Sequence, residues 1–207
     1  MSLPVYVVGA GGHGKVVVST LQAAGFAVEG VFDDDPRKDG AVVLGVPVLG
    51  TIEALETHER CRAVLAIGDN AFRKELAERL RGVEWVTAVH PTAVVHPSVQ
   101  VAAGTVIFAG AVIQPDTVIG VHGIVNTAAT VDHDGVLGDY VHVAPGVHLA
   151  GEVRLGDGVF LGVGASVVSG RAVGDWSTVG AGGVVVRDVP AGVVAVGVPA
   201  QPVSTVR

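Results

Sequence analysis

The sequence predicts an α/β plus all-β chain: a small Rossmann-like N-terminal domain followed by a parallel β-helix. Three observations predict it. Through the second half a branched apolar residue recurs every six positions. The first 86 residues alternate short apolar strands with helical stretches. A glycine-rich loop joins the first strand to the first helix.

In chain order, Pro4–Val8 reads as a strand, Gly9-Ala10-Gly11-Gly12-His13-Gly14 as a tight loop and Lys15–Ala24 as a helix. Val28–Phe32 is a second strand that runs into Asp33-Asp34-Asp35-Pro36. Thr51–Leu55 begins a short helix. Ala63–Ile67 is a third strand, followed by Gly68-Asp69-Asn70 and a charged helix over Ala71–Arg81. Strands alternating with helices imply a parallel sheet with helices on its faces. Residues 1–86 are enough for one small Rossmann-like half, not a six-stranded dinucleotide fold.

From Val89 onward Val, Ile or Leu stands at every sixth position through Val185, with no slip of phase. Four residues later the side chain is usually small, as at Ala93, Thr105, Ala111, Ala129, Gly135 and Ala165. Neither a helix nor an alternating strand holds that period. It is the mark of a parallel β-helix, whose short strands turn a corner and stack on the next coil. With three hexads per coil, as in left-handed β-helices, residues 89–190 make about 5.7 coils. The β-helix domain is assigned residues 87–207. The tail Val196-Gly197-Val198-Pro199-Ala200 breaks the repeat and is expected to cap it, since an open coil leaves strand edges unpaired.

Composition fits a narrow prism. Of 207 residues 49% are hydrophobic but only 4% aromatic, with 30 glycines. The net charge of −7 and the absence of any Lys/Arg run argue against nucleic acid as partner. The single Cys61 excludes an internal disulfide and suits a reducing cytoplasmic setting. The start MSLPVYVVGAGGHG has no basic leader region, and no apolar run is long enough to cross a bilayer.

The pattern Gly9-x-Gly11-x-x-Gly14 lets a backbone approach a diphosphate at a helix N-terminus, and Asp33 lies where a carboxylate could hold a ribose hydroxyl. Three readings fit: NAD, a nucleotide-sugar diphosphate, or a turn that only packs a helix on a sheet. The domain is short for NAD and nothing later resembles a hydride-transfer site, so the nucleotide sugar is preferred. Its candidate contacts are Gly11, Gly12, His13, Asp33 and Asp34. Gly68 and Asn70 join them from the carboxyl end of the third strand, the side where open α/β sheets bind ligands.

Six of the eight histidines fall between His90 and His148. His90 and His96 each precede a proline and suit corners; His122 and His148 read as surface residues. No spacing matches a metal-ligand pattern, and no metal is expected. His133 stands apart, with Asp132 and Asp134 on either side. A neutral imidazole is a general base near pH 7, and a neighbouring carboxylate can fix its tautomer and raise its basicity. The alternative is a solvated surface histidine.

The segments VVGAGGHGKVV, FDDDP, AIGDN, NTAATVDHD, GDYVHVAPGVHLAGEV and VGVPA together resemble the left-handed β-helix sugar O-/N-acyltransferases, in the sialic-acid O-acetyltransferase and PglD-like bacillosamine N-acetyltransferase group. The resemblance covers nearly the whole chain. It implies that His133 is the general base and Asp134 its orienting partner, where many relatives carry Glu. It also implies that His142 and the Gly151 backbone line an acetyl-CoA site, that Asn126 sits near the acceptor, and that the chain forms a homotrimer. The implied reaction moves acetyl from acetyl-CoA to the amino group of a nucleotide-linked deoxysugar. O-acetylation of a sugar hydroxyl, an NAD oxidoreductase and a non-catalytic β-helix are the alternatives.

Overall fold

A computed structural model describes residues 4–57 and 61–206. Residues 1–3, on which the leader reading partly rests, lie outside the described residues. The N-terminal elements are β1 (Val5–Val8), α1 (Gly12–Ala23), β2 (Val28–Phe32), β3 (Val42–Val43), β4 (Val46–Gly50), α2 (Ile52–Glu56), β5 (Arg62–Leu65), α3 (Asn70–Arg79) and β6 (Glu84–Trp85). The sheet order is β3-β4-β2-β1-β5-β6, parallel except for the β3–β4 hairpin. From β1 the chain builds outward through β2 and β4, then returns to the other side of β1 with β5. The carboxyl ends of β1 and β5 therefore flank a topological switch point, where open α/β sheets hold ligands.

Helix α1 begins at Gly12, three residues before the expected Lys15, so the glycine segment is already its first turn. Helix α2 begins at Ile52 and α3 at Asn70, each next to its expected start. The β3–β4 hairpin and β6 are additions to the expected pattern: two-residue edge strands carry no readable alternation.

Seventeen two-residue strands follow, from Ala88–Val89 to Val184–Val185. They pair in parallel with an 18-residue offset, as in Ile124↔His142 and His142↔Phe160, and form three faces. The expected three hexads per coil are present. The hexad residues Ile107, Val125, Val143, Leu161 and Val179 are fully buried and stack along the prism axis. Val193–Val196 and Gln201–Thr205 close the end of the first face as an antiparallel pair, so the tail caps the prism as expected.

The two parts share a core. Val106, Phe108 and Ile124 point outward from the first face, yet they are buried in one cluster with Val7, Val17 and Val18 of the N-terminal sheet and helix. The N-terminal domain thus covers the first face.

Candidate active site

At the switch point the glycines divide the work. A Cβ on Gly9 would stand 2.7 Å from the Ala66 carbonyl oxygen, and one on Gly14 would overlap the Gly9 carbonyl, so these two serve close packing. Gly11 and Gly12 face open space at the N-terminus of α1. They can bring their backbone against an anion. Asp33 is occupied: its carboxylate accepts from the Ala10 amide at 2.6 Å, Lys38 Nζ at 2.7 Å and the Asp35 amide at 2.9 Å. Burial alone would raise its pKa, but these bonds outweigh that and pull it below the usual range. Asp33 thus holds the glycine loop in shape. Asp34 accepts from the Ile52 amide at 2.7 Å and starts α2. Both line a cavity of about 320 Å³ with Gly50 and Thr51 at the carboxyl ends of β2 and β4.

The switch point opens onto His142, in the middle of the covered face. His142 is 8% exposed. Its Nδ1 lies 3.2 Å from the Gly68 carbonyl and its Nε2 3.3 Å from Asn126 Nδ2. A carbonyl only accepts and an amide nitrogen only donates, so the ring is neutral, with the proton on Nδ1. The His13 ring is 6.1 Å from it and edge-on to Phe108 at 5.5 Å. Burial first, and the Arg73 charge second, push both His13 and His142 down to about 4. His13 Nε2 has no partner among the described residues. His13, Gly68, Asn126 and His142, expected at separate places along the chain, are thus brought together. Asn70 differs from its expected role: its amide donates to the Gly158 and Val159 carbonyls at 3.1 and 3.2 Å and joins α3 to the prism.

His133 lies elsewhere, in the turn between the second and third faces. In a triangular prism that corner is opposite the first face, where the N-terminal domain sits. His133 is exposed, and its Nδ1 is 2.7 Å from Asp134 Oδ2. That bond raises its pKa, as do the nearby Asp132 and Glu152 charges. Asp134 holds a left-handed backbone, φ 59°, which swings its carboxylate back to the ring. Gly151 is stacked one coil further on. A Cβ there would stand 2.6 Å from His133 Nε2, so only glycine leaves room for the imidazole.

Turn amides at equivalent positions are capped by side chains. Asp132 Oδ1 accepts from the His133 amide and Asn126 Oδ1 from the Thr127 amide, each at 2.8 Å. Ala150 stands where Asp132 stands one coil earlier and cannot cap, and among the described residues no acceptor is found for the Gly151 N–H. In the same register Ala150, Val168 and Val186 form a column leading away from His133; the two valines are each 40% exposed. Sequence reasoning missed this apolar stripe, although valines at a solvent-facing hexad position were a visible signal. It suits a long, flexible thioester arm ending at Gly151.

The remaining histidines serve the fold. His90 and His96 bond to Thr92 and Ser98 at corners, as expected. His148 is exposed and bonded to Thr130. His122, expected at the surface, is 4% exposed: its ring stacks on Tyr140 and meets the edge of Trp85, because the N-terminal domain covers that corner. Among the described residues no three potential ligands converge on a metal position, and no helix is long and apolar enough to cross a membrane.

A three-faced prism of six-residue repeats with a small α/β domain on one face defines a hexapeptide-repeat β-helix protein. The PglD N-terminal domain family matches residues 4–80. PerB of Caulobacter crescentus, solved with CoA and GDP-perosamine, is 45% identical over 99% of this chain and 100% of its own, with a TM-score of 0.91. The acetyltransferase domain of PglB from Neisseria gonorrhoeae, solved with acetyl coenzyme A, is 40% identical over 98% and 100%, with a TM-score of 0.92. The UDP-N-acetylbacillosamine N-acetyltransferase of Bacillus subtilis is 39% identical over 108 residues, 49% of this chain and 50% of that protein. The chain thus spans about half the length of that curated relative. It belongs to the same family as PerB and the PglB acetyltransferase domain.

Proposed function

We propose that the protein transfers acetyl from acetyl-CoA to the amino group of a nucleotide-linked deoxysugar, in the cytoplasm. The observation that carries this is the His133 imidazole, held by Asp134 and seated over Gly151. The nucleotide diphosphate lies on Gly11 and Gly12, with His13, Asp33 and Asp34 shaping the pocket. The pantetheine arm follows Ala150, Val168 and Val186. The amine attacks the thioester carbonyl and a C–N bond forms. His133 Nε2 takes the amine proton, since Nδ1 is committed to Asp134. The oxyanion accepts from the Gly151 N–H. Collapse breaks the C–S bond, and the CoA thiolate leaves with the proton His133 carried. No acyl-enzyme is needed; both substrates must be bound together.

Within one chain the glycine loop and His133 are on opposite sides of the prism. The active site is therefore completed by a second copy: His133, Gly151 and the coenzyme groove come from one subunit, and the loop, Asn126 and His142 from its neighbour. His142, expected beside Gly151 at acetyl-CoA, is assigned instead to the acceptor side with Asn126, its hydrogen-bond partner. A closed ring of three prisms satisfies this at every interface. The test is a panel of GDP-, UDP- and TDP-linked amino sugars, assayed for CoA release with product mass. Release with one amino sugar and a gain of one acetyl group is expected. Release only with sugars that offer a hydroxyl and no amine would make the protein an O-acetyltransferase and overturn this assignment.

A further inference from the structure

Arg73 is buried at the join between the two domains, 1% exposed, in the first turn of α3. Both features oppose a cation: burial costs solvation, and a helix N-terminus carries partial positive charge. Six oxygens answer it, the Val141 carbonyl the most distant at 3.5 Å. Arg73 donates to the Ile67 carbonyl at 3.0 Å, the Gly68 carbonyl at 3.4 Å and Asn70 Oδ1 at 2.9 Å on its own domain. From the prism it receives the His122 carbonyl at 2.9 Å and the Tyr140 carbonyl at 2.7 Å. The Gly68 carbonyl is the same oxygen that accepts from His142 Nδ1.

We propose that Arg73 is a positioning residue: by pinning the Ile67–Gly68 backbone to the prism it aims the Gly68 carbonyl at His142, and so fixes the tautomer that offers Nε2 to Asn126 and the acceptor side of the site. The guanidinium fork reaches both domains at once. A lysine has a single donor head and cannot span Gly68, Asn70 and Tyr140 together. The groups facing His142 agree with this role. Burial first, then the Arg73 charge from α3 and any charge on His13 from α1, disfavour a charged imidazole; the Gly68 carbonyl alone acts the other way, and the first two outweigh it. Tautomer control by an outer partner is the usual work of a group one shell behind the chemistry.

The proposal leans on the acetyltransferase assignment only for its kinetic arm. The spectroscopic arm is independent of it. In the wild-type protein, 15N NMR of the His142 ring is expected to show a proton on Nδ1 and a bare Nε2. A proton on Nε2 instead overturns the proposal, whatever the enzyme does. Arg73→Lys keeps the charge and loses the fork; Arg73→Gln keeps two donors and loses the charge. In whichever variant folds, by circular dichroism, His142 should populate both tautomers. The KM for the nucleotide sugar should rise roughly tenfold or more, with the KM for acetyl-CoA nearly unchanged. A folded variant that keeps one Nδ1–H tautomer and a wild-type KM for the sugar shows that Arg73 only holds the domains together. If the wild type turns over no nucleotide sugar while the tautomer still shifts in the variants, the functional assignment fails and the role of Arg73 stands.

Discussion

The ring of His133 lies over the backbone of Gly151, so close that a methyl group on Gly151 would stand 2.6 Å from Nε2. Coil stacking sets this relationship: the two residues are one 18-residue turn apart, and the Glu152 amide donates to the His133 carbonyl at 2.9 Å. It sets a proton acceptor against a backbone turn whose N–H is uncapped among the described residues.

Gly151→Ala should therefore act as a displacement of the base. Gly151 has no left-handed backbone to maintain, so the coil should fold. A base moved by about 1 Å costs on the order of a hundredfold in kcat. Steady-state kinetics beside a melting curve checks this. A folded variant with wild-type kcat would show that the imidazole does not work where it sits.

Asp134→Asn should be milder than loss of the base and should move the pH profile. Asp134 is the foremost cause of the raised pKa of His133. Without the carboxylate the acidic limb of kcat/KM should shift to lower pH, while the plateau drops because the amide can favour the wrong tautomer. An acidic limb that stays in place would mean that another group titrates.

Mixed trimers should recover activity. His133→Ala and Gly12→Asp are each expected to be inactive, the second because a carboxylate at the start of α1 repels a diphosphate. Unfolded together and reassembled one to one, about a quarter of the interfaces should pair an intact His133 with an intact loop. Activity no higher than the variants assembled separately would place the whole site within one chain.

Stability should fall below neutral pH. His13, His122 and His142 are held near 4 in the folded protein, against 6.5 for an exposed imidazole, by burial and by Arg73. Below pH 6.5 the unfolded chain takes up protons that the folded chain refuses. Their contribution is complete above about 6.5 and is lost as pH falls toward 4, on the order of 1–3 kcal/mol per ring. Thermal melts from pH 7.5 to 5 should show a steady drop; a flat profile would contradict the buried neutral histidines.

The prism was legible because its interior is narrow. Each coil must place Val, Ile or Leu at the same inward point, and the residues from Val89 to Val185 show it without error. The His133–Asp134 pair was legible because charges interrupt that apolar pattern. The period says which way a side chain points, not what covers it. His122 points outward and was read from the prism alone as a surface residue, whereas an entire domain lies over it. For the same reason Arg73 passed as part of a charged helix, and Asn70 was read as a ligand contact and not as a bridge to the prism. Their partners at Tyr140 and Gly158 are long-range contacts with no local signature.

The central claim is that His133 takes the proton from the attacking amine. The most direct test is kcat of His133→Ala with the amino sugar the panel identifies, at saturating acetyl-CoA and with coenzyme affinity measured by calorimetry. The account predicts a loss of roughly two to four orders of magnitude in kcat, with acetyl-CoA binding little changed. A variant that binds both substrates and turns over at the wild-type rate would reduce His133 to a surface residue and contradict the mechanism.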